Sequence, residues 1–475
     1  MPEMLKYILP LFISSLFYLP AEALIIHVPG DYATIQGAIN ASSNGDTILV
    51  EPGTYFENIN FRGKKVVLTS KYYLNNDPTF INSTIINGST PSQPDSASCV
   101  IISSGEDSTT VLQGFTITGG TGTKWQDEHG AGRYREGGGI LIQYSSPIIQ
   151  FNKINNNQVT DITGVVSTGG GGMRVGDGYP RIYNNVIMNN TGRYGAGLVL
   201  NYTGGDVKNN IICVNYGSSQ YGSGSGIWLN GSFTRPITVI NNNVVNNTAT
   251  TGTPGIYGFG GVQASFRNNI VWGNTSPGGS QISGSGFTVS YCDVQGGYTG
   301  AGNINSDPLF ADTNYILSNN SSCIDAGDSS TIYNDPEDAL NPGFAKWPSK
   351  GTIRNDMGAY GGPLRRILSN TPIGIKQTGN KVPSRFVLYQ NYPNPFNPNT
   401  KIRFEVPSVG AYRNTPLQII VYDILGKEVA TLIDQQLQPG SYEINFDGSN
   451  YSTGLYFYKL TAGDFTEVKK MMLVK

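Results

Sequence analysis

From residue 115 to residue 297 the apolar and polar positions repeat one short phrase. An apolar or Asn/Gly residue is followed by an apolar residue two later, then by Asn or Gly three after that. The phrase occurs as Phe115-Ile117-Gly120, Asn152-Ile154-Asn157, Asn185-Ile187-Asn190, Asn210-Ile212-Asn215, Asn242-Val244-Asn247, Asn269-Val271-Asn274 and Cys292-Val294-Gly297. Start-to-start spacings are 37, 33, 25, 32, 27 and 23 residues. A second line falls between them, Gly139-Ile140, Gly172-Met173, Gly197-Leu198, Gly226-Ile227 and Gly261-Val262, each expected to open a strand. A short period with variable insertions predicts a coiled β-solenoid whose coils bury their apolar positions only by stacking. Asn at the turns is expected both to adopt the left-handed backbone conformation and to pass amide hydrogen bonds from coil to coil.

The flanks have a different grammar. After His27-Val28-Pro29-Gly30, residues Tyr32, Ile35, Ala38 and Ile39 stand at helical spacing, and strands are expected at 46–50 and 65–69. An amphipathic helix here would close the open end of the stack. Connections from the Asn line to the Gly line are long or variable (121–136, 158–168, 191–194, 216–223, 248–257), whereas the returns are short. All long loops therefore leave on one side, where they can wall a binding face. The run "VPGDYATIQGAINASSNGDTILVEPGTY" resembles the opening of right-handed parallel β-helix proteins of the pectate-lyase-like superfamily, and with the repeats the likeness covers residues 24–362. Residues 305–362 resemble the last coils and cap of large bacterial surface β-helix proteins.

Composition narrows the function classes. Charged residues are 13% of the 475 and the net charge is −2, which gives no support for nucleic acid or an anionic membrane as a partner. No Gly-rich turn is followed by the Lys-Ser/Thr of a phosphate loop. Lys6, the apolar run 7–19 and Ala21-Glu22-Ala23 read as a cleavable secretory leader over 1–23; no run is long enough to span a bilayer. Cys99, Cys213, Cys292 and Cys323 suit disulfides in any of three pairings, or buried small hydrophobes. The repeat positions of Cys213 and Cys292 favour the second reading.

After a weakly patterned linker (363–384), five strand-like segments predict a small β-sandwich over 385–475. The segments "LYQNYPNPFNPNTKIRFEVP", "IIVYDILGKEVATLI", "PGSYEINFDGSNYSTGLYFYKL" and "KKMMLVK" closely resemble the type A C-terminal sorting domain of type IX secretion substrates. That resemblance implies the type IX machinery as a partner, export across the outer membrane, and a secreted or cell-surface location. The chain is thus read as all-β: 24–70 the cap and first coils, 71–362 the right-handed parallel β-helix with its closing coils, and 385–475 the sandwich.

Candidate chemistry is sparse. A hydrolase of this shape needs two carboxylates on neighbouring coils, and a lyase needs a base beside a group that neutralises a uronate. The outward column after the Gly line reads Leu141, Arg174, Val199, Trp228, Gln263, without an acid pair. Titratable and aromatic groups concentrate at 124–136. There Lys124, His129 and Arg133, with Arg174, are weak catalytic candidates, and Trp125, Tyr134, Arg135 and Trp228 are candidates for binding sugar. A solvated surface loop is the plainer reading. Asp325, Asp328 and Asp356 are possible Ca2+ ligands or, more simply, turn carboxylates. Glycan binding, adhesion or a structural surface role is expected, with a lyase on an acidic polysaccharide as the alternative.

Overall fold

The computed structural model describes residues 23–127, 129–218, 222–231, 236–367, 375–379, 383–407, 417–435, 440–448 and 451–475. The leader read over 1–23 lies, except for its last residue, outside them.

Residues 24–304 form a three-sided parallel β-helix. Sheet 1 has ten strands from Ile25–Val28 to Phe287–Ser290, sheet 2 nine from Gly53–Tyr55 to Asp293–Val294, and sheet 3 eight from Ile59–Asn60 to Ile282–Ser283. One coil runs through Ile148–Gln150 on sheet 1, Lys153–Asn155 on sheet 2 and Met173–Gly176 on sheet 3, then returns to sheet 1 at Arg181–Tyr183. Inward residues stand in register. Ile149, Ile182, Val207, Val239, Phe266 and Val289 form one column on sheet 1. Ile117, Ile154, Ile187, Ile212, Val244, Val271 and Val294 form the matching column on sheet 2. All are buried, each contributing about 1.5–3 kcal/mol of apolar burial.

Two amide ladders run along the corners. Asn152, Asn185, Asn210, Asn242 and Asn269 are joined by side-chain bonds of 2.9–3.2 Å, and Asn269 meets the Cys292 sulfur at 3.7 Å. Asn157, Asn190, Asn215, Asn247 and Asn274 form the second, which ends on Gln281. The turning role belongs to a different residue than the sequence implied. The left-handed backbone sits one position earlier, at Asn184, Asn209, Asn241 and Asn268, and at Asn156, Asn189 and Asn246. In each Asn-Asn pair the first residue turns the chain and the second builds the ladder.

The N-terminal end is closed by the helix Ile35–Ala41, which buries Ile35, Ala38 and Ile39; Thr34 caps it by accepting from the Gly37 N–H. Tyr32 precedes the helix and is exposed. The four cysteines are buried and unpaired. The fifth Gly-line strand begins at Ile256 after Gly255, not at Gly261-Val262; the register pairs Trp228 with Tyr257. Gln263 belongs instead to the return into sheet 1.

Residues 305–362 do not add coils. After the bridge from Asp293 to Ile304 the chain runs back along the outside of sheet 2. Tyr315, Leu317, Cys323, Met357, Ala359 and Tyr360 cover the outward residues Val186, Met188, Ile211, Cys213, Val245 and Ile270. Asn209 donates to the carbonyls of Ala359 and Gly361, and Asn241 to that of Asp356. The segment is a cover that clasps several coils at once.

The C-terminal domain is a sandwich of two four-stranded antiparallel sheets with its own core, including Ile402, Phe404, Ile419, Tyr442, Ile444 and Tyr458. Strand Ile375–Gly379, within the stretch read as linker, pairs with Gly440–Asp447 at its edge. The Asn391–Phe396 stretch folds over the last strand. Phe396 exchanges backbone bonds with Met472 and Val474, and Asn391 bonds Pro393, Thr400 and Tyr458. Residues 408–416, where the sequence suggests a lengthened first turn, lie outside the described residues.

Candidate functional site

The outward face of sheet 3 carries the column Ile101, Leu141, Arg174, Val199, Trp228, Tyr257 and Ser283. Its two halves differ, because among the described residues only the first is roofed by strands. Residues 121–136, read as a loop, fold into a hairpin of Gly122–Gln126 against Arg133–Glu136, flanked by Ser96–Ala97 and Ser167–Gly169. The hairpin lies over Arg174 and removes it from solvent.

Arg174 is fully buried. Its Nε lies 3.1 Å from Glu136 Oε2, and its guanidinium packs 3.8 Å over the Trp125 ring. Trp125 Nε1 donates to the same carboxylate at 3.0 Å, and the Tyr194 hydroxyl donates to the other oxygen. Burial pushes the Glu136 carboxyl up, while the Arg174 charge pulls against it. Arg174 also donates to Gln143, whose amide donates to Asp177 at 2.9 Å. Asp177 meets His129 Nε2 at 3.0 Å, and the imidazole stacks on Tyr202 at 3.6 Å between centroids. A polar chain therefore leads from the buried Glu136 to an exposed histidine.

The other basic residues of the hairpin are also engaged. Lys124 Nζ lies 2.8 Å from Asp95, and that bond holds the Asp95 carboxyl below its usual range. Arg135 is buried, with Asp95 at 3.2 Å, Asp161 at 3.4 Å and the Pro94 carbonyl at 2.9 Å. Arg133 alone of the hairpin's cations is exposed. Tyr134 is half-buried beside Trp125. Of the residues singled out from sequence, the structure joins Lys124 to Arg135 through Asp95 and Trp125 to Arg174 through Glu136, and Trp228 reaches the second group only through Tyr194, on which it packs.

Trp228 heads the open half. It packs between Tyr194 and Tyr257, 4.9 Å from each, with Phe259 at 6.1 Å. Phe259 is 55% exposed. Two residues along each strand, Asn201, Asn230 and Phe259 form the next outward column, and Asn230 Nδ2 donates to Asn201 Oδ1 at 2.7 Å. Tyr257 and Phe259 escaped the sequence reading because the misplaced Gly-line strand set Gln263 in their column.

The closing segment's carboxylates are taken up by its own backbone and by Arg267 of sheet 1. Asp325 accepts from Thr352, Asp356 from the Asp325 and Lys350 amides, and Asp328 pairs with Arg267. Among the described residues no group of three or more His, Cys, Asp or Glu is arranged to hold a metal ion.

Residues 390–475 match the family of secretion system C-terminal sorting domains. The match describes the sandwich, not the β-helix, and a search of curated proteins finds none that matches the chain. The chain therefore carries a type IX sorting domain, which marks it for export to the cell surface or beyond through that machinery. No helix among the described residues is long and apolar enough to cross a membrane.

Proposed function

We propose that this exported β-helix is a glycan-binding protein of the cell surface, and that the open half of sheet 3 is its binding face. The observation that carries the reading is the aromatic group Trp228, Tyr257 and Phe259 on two neighbouring coils beyond the hairpin, with Phe259 55% exposed. Sugar rings stack on such surfaces through their C–H faces, and a rigid parallel sheet holds the rings without further ordering cost. The test is retention of the purified protein on immobilised polysaccharides, with product formation recorded in the same samples. Wild type should be retained without releasing product, and Trp228→Ala should elute early. Equal retention of the two proteins would sink the reading.

A second reading, a polysaccharide lyase, is favoured by the Asp177–His129 contact, which orients an exposed imidazole as a base needs. It must do without Arg174, whose guanidinium is sealed beneath the hairpin; Arg133 would have to face the substrate carboxylate. Appearance of unsaturated uronate absorbance that His129→Ala abolishes would establish this reading in place of the first.

A further inference from the structure

Resting on the glycan-binding reading, we infer that the ligand is an uncharged polysaccharide lying along the helix axis over Trp228, Tyr257, Phe259, Asn201 and Asn230, not a polyanion held at the 124–136 hairpin. Three observations converge on this.

The first is where the positive charge goes. Recognition of a polyuronate or sulfated chain needs guanidinium or ammonium groups facing solvent. In the hairpin and the coil beneath it Lys124 faces Asp95, Arg135 faces Asp95 and Asp161, and Arg174 faces Glu136. Three of the four cations at this end of the sheet are matched by carboxylates of the same chain, and two of the three are buried. Taking Arg174 from Glu136 to serve a ligand would leave a buried carboxylate unpaired, which costs about 3–5 kcal/mol.

The second is the chemistry of the open face. Its two columns, Trp228–Tyr257 and Asn201–Asn230–Phe259, hold no ionisable group that is charged at neutral pH. They offer ring faces and primary amides. The Asn230–Asn201 bond uses one donor and one acceptor, leaving Asn201 Nδ2 and Asn230 Oδ1 without a partner among the described residues. A free donor and a free acceptor side by side suit a hydroxyl, which needs both.

The third is direction. Trp228 and Tyr257 follow one another from coil to coil, and Phe259 stands two residues further along the Tyr257 strand. A chain polymer that passes from Trp228 to Tyr257 runs parallel to the stacking axis, with successive rings over successive coils at a step of about 4.8 Å, and Phe259 flanks it on the second coil.

The test uses the full-length protein against a neutral β-glucan, a neutral galactomannan and polygalacturonate, at low and high salt, with affinities measured by calorimetry. Binding to a neutral chain is expected, unchanged by salt because no exposed charge carries it. Trp228→Ala and Tyr257→Ala should each weaken it about tenfold, and Arg133→Ala should leave it unchanged. Phe259→Ala, at a side chain already largely in solvent, should weaken binding while leaving the thermal midpoint in place, so loss of affinity cannot be mistaken for unfolding. Binding confined to polygalacturonate and lost at high salt would overturn this inference while leaving a glycan-binding role. Neutral binding insensitive to all three aromatic substitutions would overturn the site. Silence towards every chain would overturn the glycan-binding reading itself.

Discussion

Asn210 shows how much one ladder residue holds. Its amide donates to Asn242 Oδ1, the Ile182 carbonyl and the Lys208 carbonyl, and its oxygen accepts from the backbone and side chain of Asn185. Alanine there strands several buried polar groups, each worth about 1–3 kcal/mol of lost solvation. Asn210→Ala is expected to cost about 3 kcal/mol after partial relaxation. The end of the same ladder behaves differently. At Cys292 the sulfur accepts from Asn269 at 3.4 and 3.7 Å, a weak substitute for an amide oxygen. Cys292→Asn would extend the ladder by one rung and should leave stability equal to wild type or higher. Urea midpoints order the three proteins, and a loss at Cys292→Asn as large as that at Asn210→Ala would refute the ladder account.

At the scale of elements, the strands were legible and their covers were not. Ile and Val columns in phase announce stacked strands because every coil repeats the same burial problem. The hairpin at 122–136 hides its pairing behind charges, since Lys124, Arg135 and Glu136 are neutralised only by partners on other elements. The closing segment has no period at all: Tyr315, Leu317, Cys323 and Met357 are spaced to fit the finished outer surface of sheet 2. Each cover carries a prediction. Arg174→Met leaves the Glu136 carboxyl buried without its cation, and should cost about 3 kcal/mol or more. Adding Glu136→Gln to it should recover much of that loss, a coupling that a double-mutant cycle in urea measures. On the last strand of sheet 2 burial pushes Asp293 up to about 6; in the closing segment burial, with repulsion from Asp356, raises Asp335, and burial, with repulsion from Asp325, raises Asp356. These groups hold protons more tightly folded than unfolded. Their stabilisation is present below the unfolded carboxyl value of about 3.9 and is lost as pH rises through the folded values. The thermal midpoint should therefore fall from mildly acid to neutral pH, and Asp293→Asn should flatten part of the slope. Above about 8 the trend opposes itself, because burial lowers Lys153 to about 8 and its release from the charged form favours the fold as pH rises. A midpoint that climbs steadily from acid to neutral pH would count against this assignment.

For the whole molecule the decisive fact is two separate cores. The β-helix core and the sandwich core share no residue. The sandwich has the sequence of a sorting domain and the packing of an independent one: Phe404, Ile419, Ile444 and Tyr458 are all buried within it. The helix, by contrast, is stabilised by neighbour-to-neighbour stacking, with clasps such as Asn209 to Ala359 tying distant coils together. Two thermal transitions are therefore expected in calorimetry of the full chain. Phe404→Ala removes a buried aromatic ring worth about 3–5 kcal/mol and should lower the sandwich transition alone. Ile187→Ala, in the inward column of sheet 2, should cost about 2–5 kcal/mol and lower only the other. The physical reason is that neither cavity touches the opposite core, so its cost stays in the unit that contains it. If Phe404→Ala lowered both transitions together, the two units would be folding as one. Sorting would then depend on the state of the β-helix, and glycan-face substitutions such as Trp228→Ala would have to be checked for export before their binding could be interpreted.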